Sequence, residues 1–548
     1  MAENMVLRWV VIIAASMMIS GRHSLTHAYD IGCIYPPDMP DPFQARNAAG
    51  LALSNFVMEL QYETPIVVHF THQFQYCQTD CVAYHDDKAL SMITKSRPPF
   101  STPDSYFNSW SRTMCMMQCF SDLTESEPWG PNPNIASMLS DWNFDVLPTN
   151  NDLLDCNHDP ACVQTVVENN DYDPRLIGQL VHLDIAAELE VDGWNSLGKQ
   201  VYDAETDSVV PCTTNCAPYA DITGYFPKNY PGIVWNSDKY EVTGRDKRWQ
   251  PLLEENGYGS FNRQDHVTPH IGYTAKTMVI QEFQQAEAPS YDFKGEADLV
   301  VNRLQEVVSD ESRISALQDF DKKLIVRGII QISFRNQFGS SQSFEDYIMY
   351  LAGLSSVEHD ALVQVWREKV RFDVVRPTTV IQRWNDDVIN TYNGDPTSTE
   401  PEDIKARDFQ SYVRVMPHSE YPSGSASLCT AYADFTDHYT KEYFGGSTLV
   451  LPPIGGPGGL DRGCNDSKPF KFGCGASYHV STMTELAEMC AESRLWGGMH
   501  FSKSIEAGKE IMSGIGALGL ELVKDLKNGS DWTNSFKNGD PRPVCDAE

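Results

Sequence analysis

The second half of the chain carries apolar residues at helical spacing. From Glu296 onwards, apolar side chains return at positions i, i+3, i+4 and i+7, the pattern of one buried helix face. Strand-type alternation is scarce. The pattern predicts a mainly α fold with a helical bundle architecture. The segments that carry it are Ala297–Val308, Ile314–Phe334, Phe344–Leu354, Val357–Arg371, Phe409–Val415, Ala426–Phe444, Thr482–Ala491 and Phe501–Leu526.

The first half is less regular. Ala45–Glu59 and Leu176–Leu189 have helical spacing, whereas residues 126–290 are rich in Pro, Gly, Asn and Asp. That composition is typical of loops. We therefore expect an N-terminal helical and loop-rich part at 29–295 and a C-terminal helical part at 296–548.

Residues 1–28 have the composition of a secretory signal peptide. Arg8 precedes an apolar run, and Thr26-His27-Ala28 ends in a small residue suited to cleavage. The run is too short to cross a bilayer, so a membrane anchor is the weaker alternative. We expect a secreted, extracellular protein with no membrane span once the signal is removed.

The fourteen cysteines are an even set, which in a secreted chain predicts disulfides. Zinc is the weaker alternative, because Cys-x2-Cys spacings and histidines at fixed offsets are absent. Connectivity stays open. The close pairs are Cys77/Cys81, Cys115/Cys119, Cys156/Cys162, Cys212/Cys216 and Cys464/Cys474, and Cys33, Cys429, Cys490 and Cys545 remain.

Two of these pairs have the Cys-x3-Cys spacing, which places both cysteines on one face of a helix. Two such helices could be stapled side by side, or each pair could close a local loop. Asn465 and Asn528 begin glycosylation sequons, which a eukaryotic source could use.

The formal net charge of -33 argues against partners that are themselves anionic. Nucleic acids and anionic membrane surfaces would be repelled. A cluster of Lys and Arg is therefore informative, since an anion could be held only by a local pocket.

Such a cluster begins in the stretch Trp366–Pro377. Lys369 and Arg376 are seven residues apart, and two helical turns would place both cations on one face. Pro377 disfavours the helical conformation for Arg376, so we expect the helix to end there.

Two later stretches add the rest of an anion pocket. Ser423 and Gly424 open a helical run, where a hydroxyl and free backbone N–H groups meet the positive end of the helix dipole. Arg494 adds a third cation that can grip an oxyanion with two hydrogen bonds. His500 supplies a nitrogen nucleophile or metal ligand. The set predicts a site for phosphate or vanadate.

Other motifs have simpler explanations. Gly514–Gly519 fits G-x-G-x-x-G, but it lies inside a helical pattern, so we interpret it as close helix packing rather than a dinucleotide site. Gly455–Gly459 lacks the Lys-Ser/Thr of a phosphate-binding loop. The histidines His69, His72 and His85 are more often structural than metal ligands.

The combination Lys-x6-Arg-Pro, Pro-Ser-Gly and Ser-Arg-x5-His, in that order, resembles the signature of vanadium-dependent haloperoxidases and type 2 acid phosphatases. The motifs span Trp366 to His500, and softer matches (TGY, WQPL and TPH) lie upstream. The resemblance implies two four-helix-bundle-like halves with long, ordered, disulfide-stapled loops. It implies vanadate held by Lys369, Arg376, Ser423, Gly424 and Arg494, with His500 bonded to vanadium.

The resemblance implies an enzyme that oxidises bromide or chloride with hydrogen peroxide to hypohalite and halogenates organic acceptors. Lys369 would polarise the peroxide, and Trp366 and His418 would line the halide pocket. His418 slightly favours bromide. The alternatives are a phosphohydrolase with His500 as nucleophile and a non-catalytic oxyanion-binding protein. A homodimer is compatible with all three.

The chain departs from the family at Ser425, where fungal and algal haloperoxidases carry an acid–base histidine. A serine hydroxyl does not titrate near neutrality and cannot play that part alone. We therefore predict a catalytic position at Ser425 whose proton transfer is taken over by His418 or by Glu420. A structural or halide-side role is the alternative for His418.

Overall fold

The structure is a computed structural model that describes residues 38–532. Its gaps are residues 61, 100–101, 103–107, 127, 232–237, 256–258, 322, 396 and 456–475. The predicted signal peptide, Cys33, Cys464, Cys474, Cys545 and Asn465 lie outside the described residues. Among the described residues, no helix is long and apolar enough to cross a membrane.

The chain forms two compact units that interleave along the sequence. The first unit comprises residues 1–191, 334–356 and 519–548, and the second comprises 192–333 and 357–518. These are units of packing, and the predicted sequence boundary at 295/296 stays a prediction.

Helices dominate the first unit. Several of their N-termini follow capping side chains: Asn108 accepts a hydrogen bond from Ser111 N, and Asp173 accepts one from Arg175 N. The helices of residues 38–191 are α1 (Pro42–Leu60), α2 (Thr64–Tyr84), α3 (Ser109–Glu125), α4 (Pro133–Asp141), α5 (Asn151–Asp155), α6 (Pro160–Asn169) and α7 (Pro174–Leu189).

Two disulfides staple α2 to α3. Cys77 bonds to Cys119 and Cys81 bonds to Cys115, so the two Cys-x3-Cys pairs face each other across the helix pair. Of the two alternatives left open by the spacing, helix stapling is confirmed. The other described disulfides are Cys156–Cys162, Cys212–Cys216 and Cys429–Cys490.

The remaining helices follow in order from residue 271. They are α8 (Ile271–Thr274), α9 (Phe293–Val308), α10 (Glu311–Asp321), α11 (Lys323–Phe338), α12 (Phe344–Phe372), α13 (Pro377–Gln382), α14 (Gly424–Tyr443), α15 (Met483–Trp496), α16 (Ser502–Glu510) and α17 (Ile515–Lys527). Short 3-10 turns occupy Gly244–Lys247 and Ala406–Asp408.

In the part of the chain that the structure describes, strands form three short antiparallel hairpins, all in the second unit. The strands are β1 (Gln200–Asp203) with β2 (Ser208–Pro211), β3 (Leu253–Glu255) with β4 (Phe261–Arg263), and β5 (Val388–Thr391) with β6 (Glu402–Lys405). The fold is mainly α with disulfide-stapled loops, as the periodicity and cysteine count predict.

Several predicted helix bounds are wrong in detail. Phe344–Leu354 and Val357–Arg371 belong to the single helix α12. Phe501–Leu526 divides into α16 and α17, because the chain turns at Gly514 with a φ of +86°. Phe409–Val415 is not helical; its apolar residues Phe409 and Val413 are buried from irregular backbone instead.

Gly516 marks a close approach between α17 and α14. A Cβ atom at this position would lie 2.3 Å from the carbonyl carbon of Asp434, so only glycine fits. Gly516 N also donates to Asp434 Oδ2 at 2.7 Å. Helix α16, rather than a strand, precedes the G-x-G-x-x-G sequence. The prediction of close helix packing is confirmed.

Candidate oxyanion site

The site begins at the end of α12. This helix ends at Phe372, four residues before the predicted end, because Asp373 adopts a left-handed φ of +53°. Arg376 is extended and caps α13, with Pro377 at its first position. Lys369 and Arg376 therefore do not share a helix face. They meet because both reach the same loop, residues 418–422.

Lys369 is fully buried and donates to three carbonyl oxygens of that loop. Its Nζ lies 2.8 Å from Ser419 O, 3.1 Å from Glu420 O and 2.5 Å from Pro422 O. The ammonium group thus fixes the loop that leads into α14. Its charge also acts on the space beside that loop.

Arg376 connects the loop to the segment that carries His500. Its Nε donates to His418 O at 2.9 Å, and its Nη1 donates to Met499 O at 3.0 Å. The same Nη1 lies 3.2 Å from His500 Nε2, and Nη2 lies 2.9 Å from His418 Nδ1. Because a guanidinium can only donate, His500 Nε2 must be an acceptor. His418 Nδ1 also lies 3.1 Å from the carbonyl oxygen of Ser419, which can only accept, so its contacts do not fix the tautomer of His418.

Ser423 caps α14, and its side chain accepts from Ala426 N at 3.4 Å. The first N–H groups of a helix have no intrahelical partner, and here they belong to Gly424 and Ser425. The positive end of the helix dipole therefore lies beside the buried cations. Ser425, the position that departs from the family, is half-buried.

Arg494 comes from the last turn of α15. Its Nε donates to Ser493 Oγ at 3.1 Å, and its Nη1 lies 3.4 Å from Asp321 Oδ1. Its Nη2 is buried and has no hydrogen-bond partner within the described part of the chain. Arg112 and Arg383 also have a buried nitrogen without a partner in the described residues, so the indication of an anion depends on a second observation: the charge of Arg494 acts on His500.

His500 returns to the cations through a tight turn after α15. Gly498 has a φ of +79°, and the N–H groups of Met499 and His500 both donate to Arg494 O. His500 Nδ1 lies 3.0 Å from Glu420 Oε1. A carboxylate at Nδ1 leaves Nε2 as the nitrogen that faces the cations.

His418 and Trp366 lie side by side at the same loop. Their ring centroids are 4.8 Å apart, and Trp366 Nε1 donates to Val267 O at 3.0 Å. His266 lies beyond His418, with ring centroids 6.3 Å apart. The arrangement places His418 in contact with Arg376, and it places Trp366 on the other predicted halide-pocket residue, His418.

The cations are held in an unfavourable environment. Burial, and then the charge of Arg376, lowers the pKa of Lys369 well below its ordinary value. Burial lowers the pKa of Arg376 to about 10, and it lowers the pKa of Arg494 as well. An oxyanion would relieve these costs by compensating the charges.

The two histidines stay neutral in this field. Burial, followed by the charges of Arg376, Lys369 and Arg494, lowers the pKa of His500. Burial and the charges of Lys369 and Arg376 lower that of His418 in the same way. Neutral imidazole is the form that binds a metal. Burial raises the pKa of Glu420 to about 7, against the opposing effect of the Phe501 N–H group.

The residues present fit vanadate or phosphate. Buried cations, the start of a helix and the unpartnered Nη2 of Arg494 supply positive charge and donors, and Glu420 and Asp321 are the acidic groups in contact with the set. The neutral Nε2 of His500 adds a ligand for a metal centre. Within the described ranges, no group of three or more His, Cys, Asp or Glu side chains could hold a bare metal cation.

The sequence patterns did not identify every member of the site. Tyr291, which donates to Glu420 Oε2 at 2.8 Å, lies far upstream in a loop. Asp321, which faces Arg494, ends α10. The sequence offers Glu420 as a candidate for proton transfer only. Its position directly before Tyr-Pro-Ser-Gly could also have indicated an acidic partner for the buried cations.

A comparison with known families matches the part of the chain that carries these residues. The family model described as the VCPO second helical-bundle domain matches residues 349–529. The matched residues make up about a third of the chain. They include every residue of the three anion motifs, so the predicted resemblance to vanadium haloperoxidases is confirmed. A search of curated proteins gave no match.

Solved structures share the fold over most of the chain. A holo-type bacterial vanadium-dependent chloroperoxidase is 21% identical, with a TM-score of 0.67 over 85% of this chain and 93% of its own. The apo-type structure of a bacterial vanadium-dependent chloroperoxidase is also 21% identical, with a TM-score of 0.68 over 85% of this chain and 94% of its own. A bacterial vanadium-dependent iodoperoxidase is 15% identical, with a TM-score of 0.56 over 90% of this chain and 98% of its own. At these identities the likeness establishes the fold.

Proposed function

We propose that the protein is a vanadate-dependent haloperoxidase that oxidises bromide or chloride with hydrogen peroxide and passes the halogen to organic acceptors. The observation that carries the proposal is the pairing of a neutral His500 Nε2 with buried guanidinium groups. Arg376 Nη1 is 3.2 Å from that nitrogen, and Arg494 Nη2 has no acceptor within the described residues. This is a site for an oxyanion whose central atom binds nitrogen.

Each residue has a part in holding the oxyanion. Arg376 and Arg494 would donate to its oxygens, as would the N–H groups at the start of α14 and the hydroxyl of Ser423. His500 would be the nitrogen ligand. Vanadate, when bound, supplies Lewis-acid activation of hydrogen peroxide.

Lys369 adds positive charge where negative charge develops. Its N–H groups donate to carbonyl oxygens, so direct contact with peroxide requires the exchange of one carbonyl for the peroxide oxygen. Its field acts without that exchange, because fixed charges in a dry site are only weakly screened.

His418 is better suited to halide than to proton transfer. Its Nδ1 lies between a donor, Arg376 Nη2 at 2.9 Å, and an acceptor, the carbonyl oxygen of Ser419 at 3.1 Å. The nearby cations oppose the charged form that a general acid needs. When Nδ1 accepts from Arg376, the ring carries its proton on Nε2, and this N–H group beside the Trp366 ring could donate to a halide ion.

The decisive experiment measures halogenation of a chromogenic acceptor by purified protein incubated with orthovanadate. Peroxide is supplied with bromide or chloride in turn. Turnover that requires both vanadate and halide is the expected result, and the comparison gives the halide preference. Wild-type protein without vanadate and the His500→Ala variant are the controls.

A phosphohydrolase is the second candidate, because a carboxylate-backed neutral histidine is also a good nucleophile. Hydrolysis of p-nitrophenyl phosphate by vanadate-free protein, without halogenation in the first assay, would favour it. Vanadate binding without either activity would favour a non-catalytic oxyanion-binding protein. Secretion is also a proposal, which the processing of the N-terminus in a secreting host would test.

A further inference from the structure

Glu420 is a fully buried carboxylate at the back of the oxyanion site. Its Oε1 accepts from Phe501 N at 2.9 Å and lies 3.0 Å from His500 Nδ1. Its Oε2 accepts from Tyr291 OH at 2.8 Å. With donors on both oxygens, the carboxylate is fixed in position and orientation.

Two neighbours of His500 specify the same tautomer. Arg376 Nη1 can only donate, so it requires a lone pair on Nε2 and places the proton of the neutral ring on Nδ1. Glu420 Oε1, which lies 3.0 Å from Nδ1, is then the acceptor of that N–H group. The Nε2 lone pair therefore faces the buried cations. A histidine with the opposite tautomer would present an N–H group there and could not bind a metal centre.

We propose that Glu420 is a positioning residue that fixes the Nδ1–H tautomer of His500 and thereby makes the site prefer vanadate over phosphate. Vanadium(V) accepts an additional nitrogen ligand, whereas the phosphorus of inorganic phosphate in its ground state does not. The cations hold both oxyanions alike, so the preference depends on Nε2. This inference rests on the proposed oxyanion site, and it concerns binding rather than turnover.

Ser504 is the competing partner of Nδ1. Its Oγ lies 3.2 Å from His500 Nδ1 and donates to Glu420 O at 3.1 Å. The hydroxyl could accept from Nδ1, but it is uncharged and farther away. A test must therefore separate the two acceptors.

The first test compares the affinities of orthovanadate and inorganic phosphate for wild-type protein, Glu420→Leu, Glu420→Gln and Ser504→Ala. Loss of an outer-shell partner typically weakens metal binding by about 10- to 100-fold. We expect Glu420→Leu to lower the vanadate-to-phosphate affinity ratio by that factor. Phosphate binding should be unchanged or tighter, because a negative charge is removed.

The conservative variant supplies a rescue. In Glu420→Gln the amide oxygen should occupy the Oε1 position, because Phe501 N–H and His500 Nδ1–H both point there. The ratio should then lie close to the wild-type value. Ser504→Ala should shift the ratio by less than about threefold, since it removes only the weaker contact. A parallel change of both affinities in Glu420→Leu would overturn the proposal.

The second test reads the tautomer without any oxyanion. Protein labelled with ¹⁵N-histidine reports which ring nitrogen is protonated, and His500→Gln identifies the signals. We expect protonated Nδ1 in the wild type and a shift toward protonated Nε2 in Glu420→Leu. Protonated Nε2 in the wild type would overturn the proposal. Absent halogenation, by contrast, would refute only the proposed activity and leave these readouts intact.

Discussion

Cys429 and Cys490 are joined by a disulfide that ties α14 to α15. Cys429 lies six residues after Ser423, and Cys490 lies four residues before Arg494. The bond therefore holds the start of one helix and the end of another, both of which carry parts of the oxyanion site. Both cysteines are fully buried.

We expect the double variant Cys429→Ala/Cys490→Ala to be less stable and to bind vanadate more weakly. The disulfide joins cysteines 61 residues apart. In the chain-entropy model, its loss lowers the free energy of unfolding by about 4 kcal/mol. Denaturant unfolding and vanadate titration measure the two effects. The matched control, Cys156→Ala/Cys162→Ala, should lose only about 2 kcal/mol and should leave vanadate affinity unchanged. Equal vanadate affinity in both double variants would show that the site does not depend on the bond.

Arg494 is expected to be sensitive even to replacement by lysine. Arg494→Lys keeps the charge but loses the planar fork whose Nη2 has no acceptor within the described residues. A lost charge-assisted hydrogen bond costs about 1.5–3 kcal/mol, so vanadate affinity should fall about 10- to 100-fold. Calorimetric titration with vanadate measures the change. Arg383→Lys is the control, because this buried arginine also has a nitrogen without a partner in the described residues but pairs with Asp246 rather than with the site residues. A similar loss there would point to a general effect of the substitution.

The sequence predicted the composition of the site better than its geometry. Motif order predicts Lys369, Arg376, Ser423, Arg494 and His500 as site residues, and their roles stay predictions. Motifs can indicate such groups because helix starts and turns are encoded by local sequence. The left-handed turn at Asp373, which separates Lys369 from Arg376, had no sequence signal. Long-range contacts such as Tyr291 with Glu420 depend on tertiary packing, which periodicity does not encode.

Helix packing explains the glycine-rich sequence in α17. Gly516→Ala would place a Cβ 2.3 Å from a backbone carbon of α14, so one helix must move. Overpacking of this kind typically costs about 1–3 kcal/mol, which thermal unfolding would detect. Gly328→Ala is the matched control, since nothing lies within 4 Å of its Cβ position and alanine favours a helix. Equal stability of the two variants would refute the packing explanation.

Asp122 makes stability depend on pH. Burial raises the pKa of Asp122 to about 7, and its Oδ2 has no partner within the described residues. Below about pH 4, the pKa of an unfolded aspartate, Asp122 is protonated in both states and does not reduce the free energy of unfolding. As the pH rises from there through about 7, stability is lost, because the unfolded chain ionises more readily than the buried carboxyl group. Asp122→Asn removes this loss, so it should stabilise the protein more at pH 8 than at pH 5.

The difference between the two pH values should be on the order of 2–4 kcal/mol in denaturant unfolding. Burial also raises the pKa of Asp80 to about 7. Its effect on stability is the same in the wild type and in Asp122→Asn, so it cancels in the difference between the two proteins. The exposed residue Asp141 provides a control, and Asp141→Asn should follow the wild type. A pH-independent effect of Asp122→Asn would mean that the carboxyl group does not titrate in this range.

Ser425 offers a gain-of-function test of the proposed activity. The position is half-buried at the second residue of α14, beside the start of the oxyanion site. Restoring the histidine of the related haloperoxidases supplies an acid–base group, which typically contributes about 10²- to 10⁴-fold in rate. Ser425→His should therefore raise the halogenation rate while vanadate affinity changes little.

Ser425→Asn controls for size and polarity, because it adds no titrating group. His418→Ala made in the wild type and in Ser425→His then separates the sources of proton transfer. If His418 performs proton transfer in the wild type, its removal should slow the wild type and be tolerated in Ser425→His. If His418 lines the halide pocket, its removal should raise the halide KM equally in both backgrounds. No gain from Ser425→His, together with full activity of His418→Ala, would direct the search for the proton donor to Glu420.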